Sequence, residues 1–267
     1  MSSSSERQGA PAQRAAGGGA DAGAGPLIEA RRLVHRYPQG GGAVEALRGV
    51  DLKIERGEFT ALMGPSGSGK STLLNLIGAL DLPSEGALRL EGRSLLDCSR
   101  RERALIRRDR IAFIFQSYNL LPILSAAENA ELVLLARGLP AAERRARVLE
   151  TLAAVGLEGL EERRPGQLSG GQQQRVAVAR ALACQPALIL ADEPTANLDS
   201  QTGAELIALM SRLNQERGVT FLFATHDPQV MAAARRVVRL VDGQIIEDIR
   251  RDPPGQGDMP ARVEQSP

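Results

Sequence analysis

The sequence predicts an α/β fold built on a mostly parallel sheet. Three observations carry that prediction. Short, largely apolar runs recur at Phe59–Met63, Ile111–Phe115, Ala187–Ala191 and Thr220–Ala224. Segments with helical periodicity separate them. A glycine-rich loop, Gly64 to Gly69, joins the first run to one of those helical segments. Apolar runs of about five residues between turns are the pattern of strands buried on both faces. Strands alternating with helices make a parallel sheet.

Taken in order, residues Met1 to Pro26 are mostly Ser, Gly, Ala, Pro and Gln. Such a segment buries too little apolar surface to offset its ordering entropy, so it is expected to be a disordered tail. It has no apolar run of the kind a signal peptide carries. Leu27 to Arg250 reads as one continuous folded unit, and Arg251 to Pro267 as a flexible C-terminal tail. Within the folded unit, alternating strands are expected around Leu27–Leu33 and Val50–Ile54. His35 is expected at the surface. Phe59–Met63 is an apolar strand, a helix starts at Lys70, and Ile111–Phe115 is the next strand. Ala, Leu, Glu and Arg at helical spacing predict a helical insert over Pro140–Glu162. A further helix covers Val176–Ala183. Thr202-Gly203-Ala204-Glu205 fits a capping box opening a helix with Leu206, Leu209, Met210 and Leu213 on one face. Asp242-Gly243, between two alternating runs, predicts a closing hairpin.

Composition narrows the function classes. The chain has 267 residues, 43% of them apolar, and a formal net charge of +1. A dedicated nucleic-acid binder carries a strong basic excess, so no nucleic-acid partner is expected. Cys98 and Cys184 are too few for a disulfide scaffold, and neither has a neighbouring Cys or His at metal-ligand spacing. No stretch approaches the roughly 18 consecutive apolar residues of a membrane span.

The chemistry is concentrated in three places. Gly64-Pro65-Ser66-Gly67-Ser68-Gly69-Lys70-Ser71 is a phosphate-loop pattern with a strand before it and a helix after it. Its glycines let backbone N–H groups turn inward around phosphate oxygens, and the helix aims its positive end at the same anion. Lys70 neutralises charge between the β- and γ-phosphates, and the Ser71 hydroxyl suits Mg²⁺. Leu168-Ser169-Gly170-Gly171-Gln172 opens a second helix and offers a second anion site by the same dipole logic. One chain cannot easily present both helix ends to one γ-phosphate, so two half-sites suggest a dimer clamped around nucleotide. Leu188 to Glu193 is an apolar strand ending in two acids. Asp192 at the tip suits Mg²⁺, held through water, and Glu193 is placed to polarise an attacking water as general base. His226 follows the strand Thr220–Ala224 and so lies at the same carboxyl edge of the sheet, where ligands gather.

With those residues in hand, the chain resembles the nucleotide-binding domain of an ATP-binding cassette (ABC) transporter over nearly all of Leu27 to Arg250. The phosphate loop, the signature Leu168–Gln172, the acids Asp192-Glu193, the loop Ala196-Asn197-Leu198-Asp199 and His226 occur in the family's order. The resemblance implies a P-loop ATPase core with an antiparallel β subdomain and a helical signature subdomain at about Gln116–Gln167. It implies MgATP held by Gly64 to Thr72, with adenine stacked on Tyr37. It implies Gln116 as a Mg²⁺ contact that reports to the membrane partner, and Ser169, Gly170, Gly171, Gln172 and Asp199 as further nucleotide contacts. Lys70, Glu193 and His226 are then catalytic, and Ser71, Gln116 and Asp192 hold the metal. Ala196 departs from the glycine of many relatives.

Phe115 to Pro122, Gln172-Gln173-Gln174 and Thr225 to Gln229 are similar to the lipoprotein-releasing and macrolide-exporter ATPases. That implies a homodimer across ATP at the cytoplasmic face of the inner membrane. The subunit would be peripheral, held by a permease with few transmembrane helices and a large extracytoplasmic domain. A periplasmic adaptor is a further partner the resemblance allows. Export and signalling through a similar permease to a cell-wall hydrolase are both open at this point. A soluble cassette of DNA repair or translation is disfavoured, because the chain has no sustained heptads and no cysteine clusters.

Overall fold

Hydrophobic runs and crossovers produce a six-stranded sheet in the order β10-β9-β3-β8-β7-β6. The computed structural model describes residues 25–40 and 42–251. The tails expected at Met1–Pro26 and Arg251–Pro267 lie outside the described residues, apart from Gly25, Pro26 and Arg251. The parallel strands are β3 (Phe59–Met63), β6 (Ile111–Phe115), β7 (Leu188–Asp192), β8 (Thr220–Ala224) and β9 (Arg236–Val241). β10 (Gln244–Arg250) closes the edge antiparallel to β9. A second, antiparallel sheet has the order β2-β1-β4-β5, from β1 (Ile28–Gln39), β2 (Gly42–Ile54), β4 (Glu85–Leu90) and β5 (Arg93–Ser94).

The central strands bury both faces. On one side, Phe59, Ala61, Ile189, Ala191, Phe221 and Phe223 join a core with α3 (Ala126–Ala136), α4 (Ala141–Ala154), α5 (Gly170–Ala183) and α6 (Ser200–Arg217). On the other, Leu62, Leu188, Leu190, Leu222 and Ala224 pack with α1 (Lys70–Ile77) and the antiparallel sheet. Phe59, Phe221 and Phe223 are buried, with ring centroids 4.6 to 5.6 Å apart. Burial of each stabilises the fold by roughly 1.5–3 kcal/mol. Two shorter helices, α2 (Arg100–Asp109) and α7 (Pro228–Ala233), complete the described chain with a single 3₁₀ turn at Pro165–Gln167.

Several expectations need correction. β1 and β2 run well beyond Leu27–Leu33 and Val50–Ile54, because bulges near Arg32 and His35 break the alternation that would have marked them. That extension buries His35 to 5% exposure. Its ring meets Tyr37 edge-on at 4.6 Å, and Nε2 lies 3.4 Å from Asp81 Oδ2. The helix expected from Thr202 starts a turn earlier. Asp199, a stronger N-cap than Thr, accepts from the Thr202 N–H at 3.0 Å and from its hydroxyl at 2.6 Å. The helical pattern of Pro140–Glu162 stops at Ala154, and Gly156 turns the chain with a φ of 76°. The hairpin at Asp242-Gly243 forms with φ of 47° and 78°, and a Cβ on Gly243 would meet the Ala46 carbonyl oxygen at 2.7 Å.

Candidate functional site

Four neighbouring parallel strands, β3, β8, β7 and β6, end at one edge of the sheet, and the loop leaving each carries predicted site residues. β3 feeds the glycine-rich loop. A Cβ on Gly64 would run into the Leu240 carbonyl oxygen, so the loop can press against β9 only as glycine. Gly69 caps α1 with a φ of 103° and no side-chain bond, which leaves the first N–H groups of that helix turned toward the cleft. Lys70 Nζ donates to the carbonyls of Gly64 at 2.7 Å and Pro65 at 3.0 Å, folding its charge over the loop. The Ser68 hydroxyl is buried without a hydrogen-bond partner.

β7 delivers Asp192 as its last residue and Glu193 just beyond. Burial pushes the Asp192 carboxyl above the usual range, with the Ser71 hydroxyl and Lys70 acting the other way and Glu193 adding to the rise. Glu193 sits at a φ of 47°, a conformation a non-glycine residue adopts at a cost. Two residues from the end of β8 hold its carboxylate. His226 Nδ1 lies 2.7 Å from Oε1, and the Thr225 hydroxyl donates to Oε2 at 3.1 Å. The imidazole is 76% exposed and the carboxylate 19%, so His226 covers Glu193 from the solvent side.

Gln116 leaves β6 toward the same cleft. Its main-chain carbonyl accepts from Asn197 Nδ2 at 2.9 Å, and its amide donates to Asn197 Oδ1 at 3.4 Å. The cleft these loops enclose has a volume of about 660 Å³. Lys70, Ser71, Thr72, Gln116, Asp192, Glu193 and His226 line it, with Gly64 to Gly67, Gly69, Ala46 and Ala196. The donor set fits a magnesium nucleotide: backbone N–H groups and Lys70 for phosphates, and Ser71, Gln116 and Asp192 oxygens for a hard cation. The uncapped start of α1 belongs to that same cradle.

Other predicted residues lie outside the cleft. Ser169 caps α5 and forms a reciprocal capping box with Gln172, at 3.2 and 3.0 Å. Gly170 and Gly171 pack so closely that added Cβ atoms would meet the Tyr118 hydroxyl and the Thr202 methyl. Asp199 caps α6, and its bonds from Thr202 hold its carboxyl below the usual range. Tyr37 is 38% exposed and its hydroxyl lies 3.4 Å from Thr72 Oγ1, which sets the ring beside the phosphate loop. Sequence reading quoted Thr225, Asn197 and Gln174 within motifs but gave them no role in the site. Neighbouring Thr225 to His226 is a weak signal, whereas the other two matter only through tertiary contacts.

The family model described as ABC transporter matches residues 47–196, which is more than half of the chain. The chain belongs to the ABC transporter ATPase family. Solved cassettes share its fold. The dimeric post-hydrolysis structure of MJ0796 bound to ADP and Pi is 44% identical, with a TM-score of 0.78, over 85% of this cassette and 100% of that chain. In sequence, the "Uncharacterized ABC transporter ATP-binding protein MJ0796" of Methanocaldococcus jannaschii is 46% identical over 82% of this cassette and 95% of its own length. The "Macrolide export ATP-binding/permease protein MacB 1/2" of Paracoccus denitrificans is 49% identical over 86% of this cassette. This ABC cassette spans only about a third of the length of the MacB relatives it matches.

Proposed function

We propose that this cassette binds MgATP, dimerises around it and hydrolyses it to drive a separate membrane permease in an export system. The observation that carries the reading is the convergence of the phosphate loop, Gln116, Asp192, Glu193 and His226 in one cleft. Lys70 and the N–H groups of the phosphate loop bind the phosphates. Ser71, Gln116 and Asp192 would hold Mg²⁺, which supplies charge neutralisation to the transferred phosphoryl group when bound. Glu193 accepts the proton of the attacking water, and His226 and Thr225 fix the rotamer in which it does so. Tyr37 stacks on adenine. Ser169 to Gln172, absent from the lining of the cleft, complete the site of a second copy, and Asp199 lies in the loop beside that contact. The MJ0796 cassette, solved as a dimer, is consistent with this arrangement.

Among the described residues no helix is long and apolar enough to cross a membrane. A groove of about 470 Å³ lies between β6, α2, α3 and α5, walled by Phe113, Phe115, Leu132 and Val133. Arg107 and Arg180 stand at its rim and donate to main-chain carbonyls of Ala79, Tyr118 and Asn119. Neither pairs with a carboxylate among the described residues. The groove therefore suits a short amphipathic helix with an acidic edge, presented by a permease at the cytoplasmic face of the inner membrane. Such a permease would have few transmembrane helices and a large extracytoplasmic domain, with room for a periplasmic adaptor.

The test is Glu193→Gln, which keeps size and removes the basic carboxylate. Hydrolysis is expected to fall by roughly 10²–10⁴-fold. Light scattering with MgATP should show a stable dimer. Normal turnover, or a monomer at high concentration with saturating MgATP, overturns the reading.

A further inference from the structure

We propose that Gln174, together with Asn197, is a positioning residue that locks the exit of β6 to the loop carrying Glu193. The proposal rests on the roles just given to Gln116 and Glu193. β6 and β7 pair in parallel up to Phe115 opposite Asp192. Gln116 and Glu193 are the next residues on each strand, so the ladder ends where the chemistry starts. Beyond that point side-chain amides take over from the main-chain ladder.

Gln174 reaches across from α5. Its Nε2 donates to the Pro194 carbonyl at 2.7 Å and is 3.4 Å from the Phe115 carbonyl. One NH₂ group thus touches the residue before Gln116 and the residue after Glu193. Asn197 adds the reciprocal pair with Gln116, at 2.9 and 3.4 Å. The loop from Glu193 to Asn197 is thereby joined to the loop from Phe115 to Gln116 at both of its ends.

Packing alone does not account for the choice of residue. Gln174 is fully buried, and its Oε1 has no hydrogen-bond partner. An unpaired buried amide oxygen carries a desolvation cost that an apolar side chain of the same length avoids. What the amide supplies is the placement of two carbonyls. Gln174 also lies in the helix whose first turn holds Ser169 and Gln172. A shift of that helix is therefore felt directly by Pro194 and Phe115.

Methionine keeps the unbranched length of glutamine and cannot donate, so Gln174→Met is the test variant. A positioning role predicts a split: kcat falls by about 10-fold or more while KM for ATP stays within about 2-fold. The magnesium concentration needed for half-maximal rate should rise, because Gln116 is no longer held toward the cleft. Melting should stay within about 5 °C of wild type. Asn197→Ala, changed at an exposed side chain, is expected to show the same split and carries the test if Gln174→Met does not fold. Wild-type kcat in either folded variant, or a loss confined to KM, overturns the proposal. Glu193→Gln separates the two readings. If it is inactive while Gln174→Met is normal, only the amide lock fails; if it is fully active, both fail.

Discussion

At the scale of single residues, the site trades stability for chemistry. Glu193 adopts a left-handed φ of 47°, and Gln174 buries an oxygen with nothing to bond. Asp192 places a carboxylate where burial disfavours its charge. A carboxyl whose folded pKa lies above its unfolded value binds protons more tightly in the folded state. Its contribution therefore favours the fold at low pH and is lost as pH rises through that folded value. At neutral pH Asp192 is thus a burden on the ligand-free fold, reduced by the solvent screening that its partial exposure allows. Asp192→Asn removes the charge and keeps the shape. It should leave the nucleotide-free protein as stable as wild type or more so, by up to about 1 kcal/mol, while magnesium-dependent ATP hydrolysis falls by roughly 10²-fold or more. Calorimetry at pH 7 beside a steady-state ATPase assay checks both arms. A clear drop in melting temperature would show that Asp192 serves the fold rather than the metal.

At the scale of elements, the central sheet and its closing hairpin were readable, and the antiparallel sheet only in part. β3, β6 and β8 occupy the predicted runs residue for residue. Burial on both faces writes a short continuous apolar string between turn signals, the pattern of a buried parallel strand. The phosphate loop was equally readable, since its glycines answer to local backbone demands. β4, β5 and α2 left little trace. Only Ile106 of α2 is buried, and its many arginines dilute any apolar stripe. His35 misled because bulges hid the strand that buries it. The β9–β10 edge depends on Arg236, 5% exposed, which donates to both oxygens of Asp248 at 2.8 and 2.7 Å and to Glu58 at 2.9 Å. The Arg236 hydrogen bonds hold the Asp248 carboxyl below its usual range. That contribution is present above the unfolded carboxylate value of about 3.9 and is lost as pH falls through the lower folded value. Asp248 is partly exposed, so the loss on Asp248→Asn is discounted to about 1 kcal/mol at pH 7. Denaturant melts from pH 7 to pH 3 should show the gap between the two proteins narrowing toward acid. A gap that is constant or widens would assign the effect to packing.

At the scale of the whole molecule, the geometry sets the place where ATP binding can be felt outside the cassette. The loop after Gln116 runs from the cleft to the groove between β6 and α3, so it touches both the cleft and the groove proposed to dock the permease. It is anchored at its two ends. Arg180 donates to the Tyr118 and Asn119 carbonyls, at residues with φ of 58° and 50°. Asn129, fully buried, bonds the main chain of Leu121 and Leu124. On this anchored loop the Leu121 side chain is 46% exposed and Ile123 74% exposed, a larger apolar exposure than the isolated fold requires. We expect these two side chains to meet the permease. Leu121→Asp and Ile123→Glu should abolish co-purification of the permease and uncouple export, because a charge buried there without a partner costs several kcal/mol. The ATPase rate of the isolated cassette should stay within about 2-fold of wild type, since neither side chain lines the cleft. Arg180 supplies the opposite control: Arg180→Ala frees the anchored carbonyls and should weaken permease binding even with Leu121 and Ile123 intact. Undiminished capture of the permease by all three variants would move the coupling surface away from this loop and the groove beside it, and leave the cleft's chemistry standing on its own.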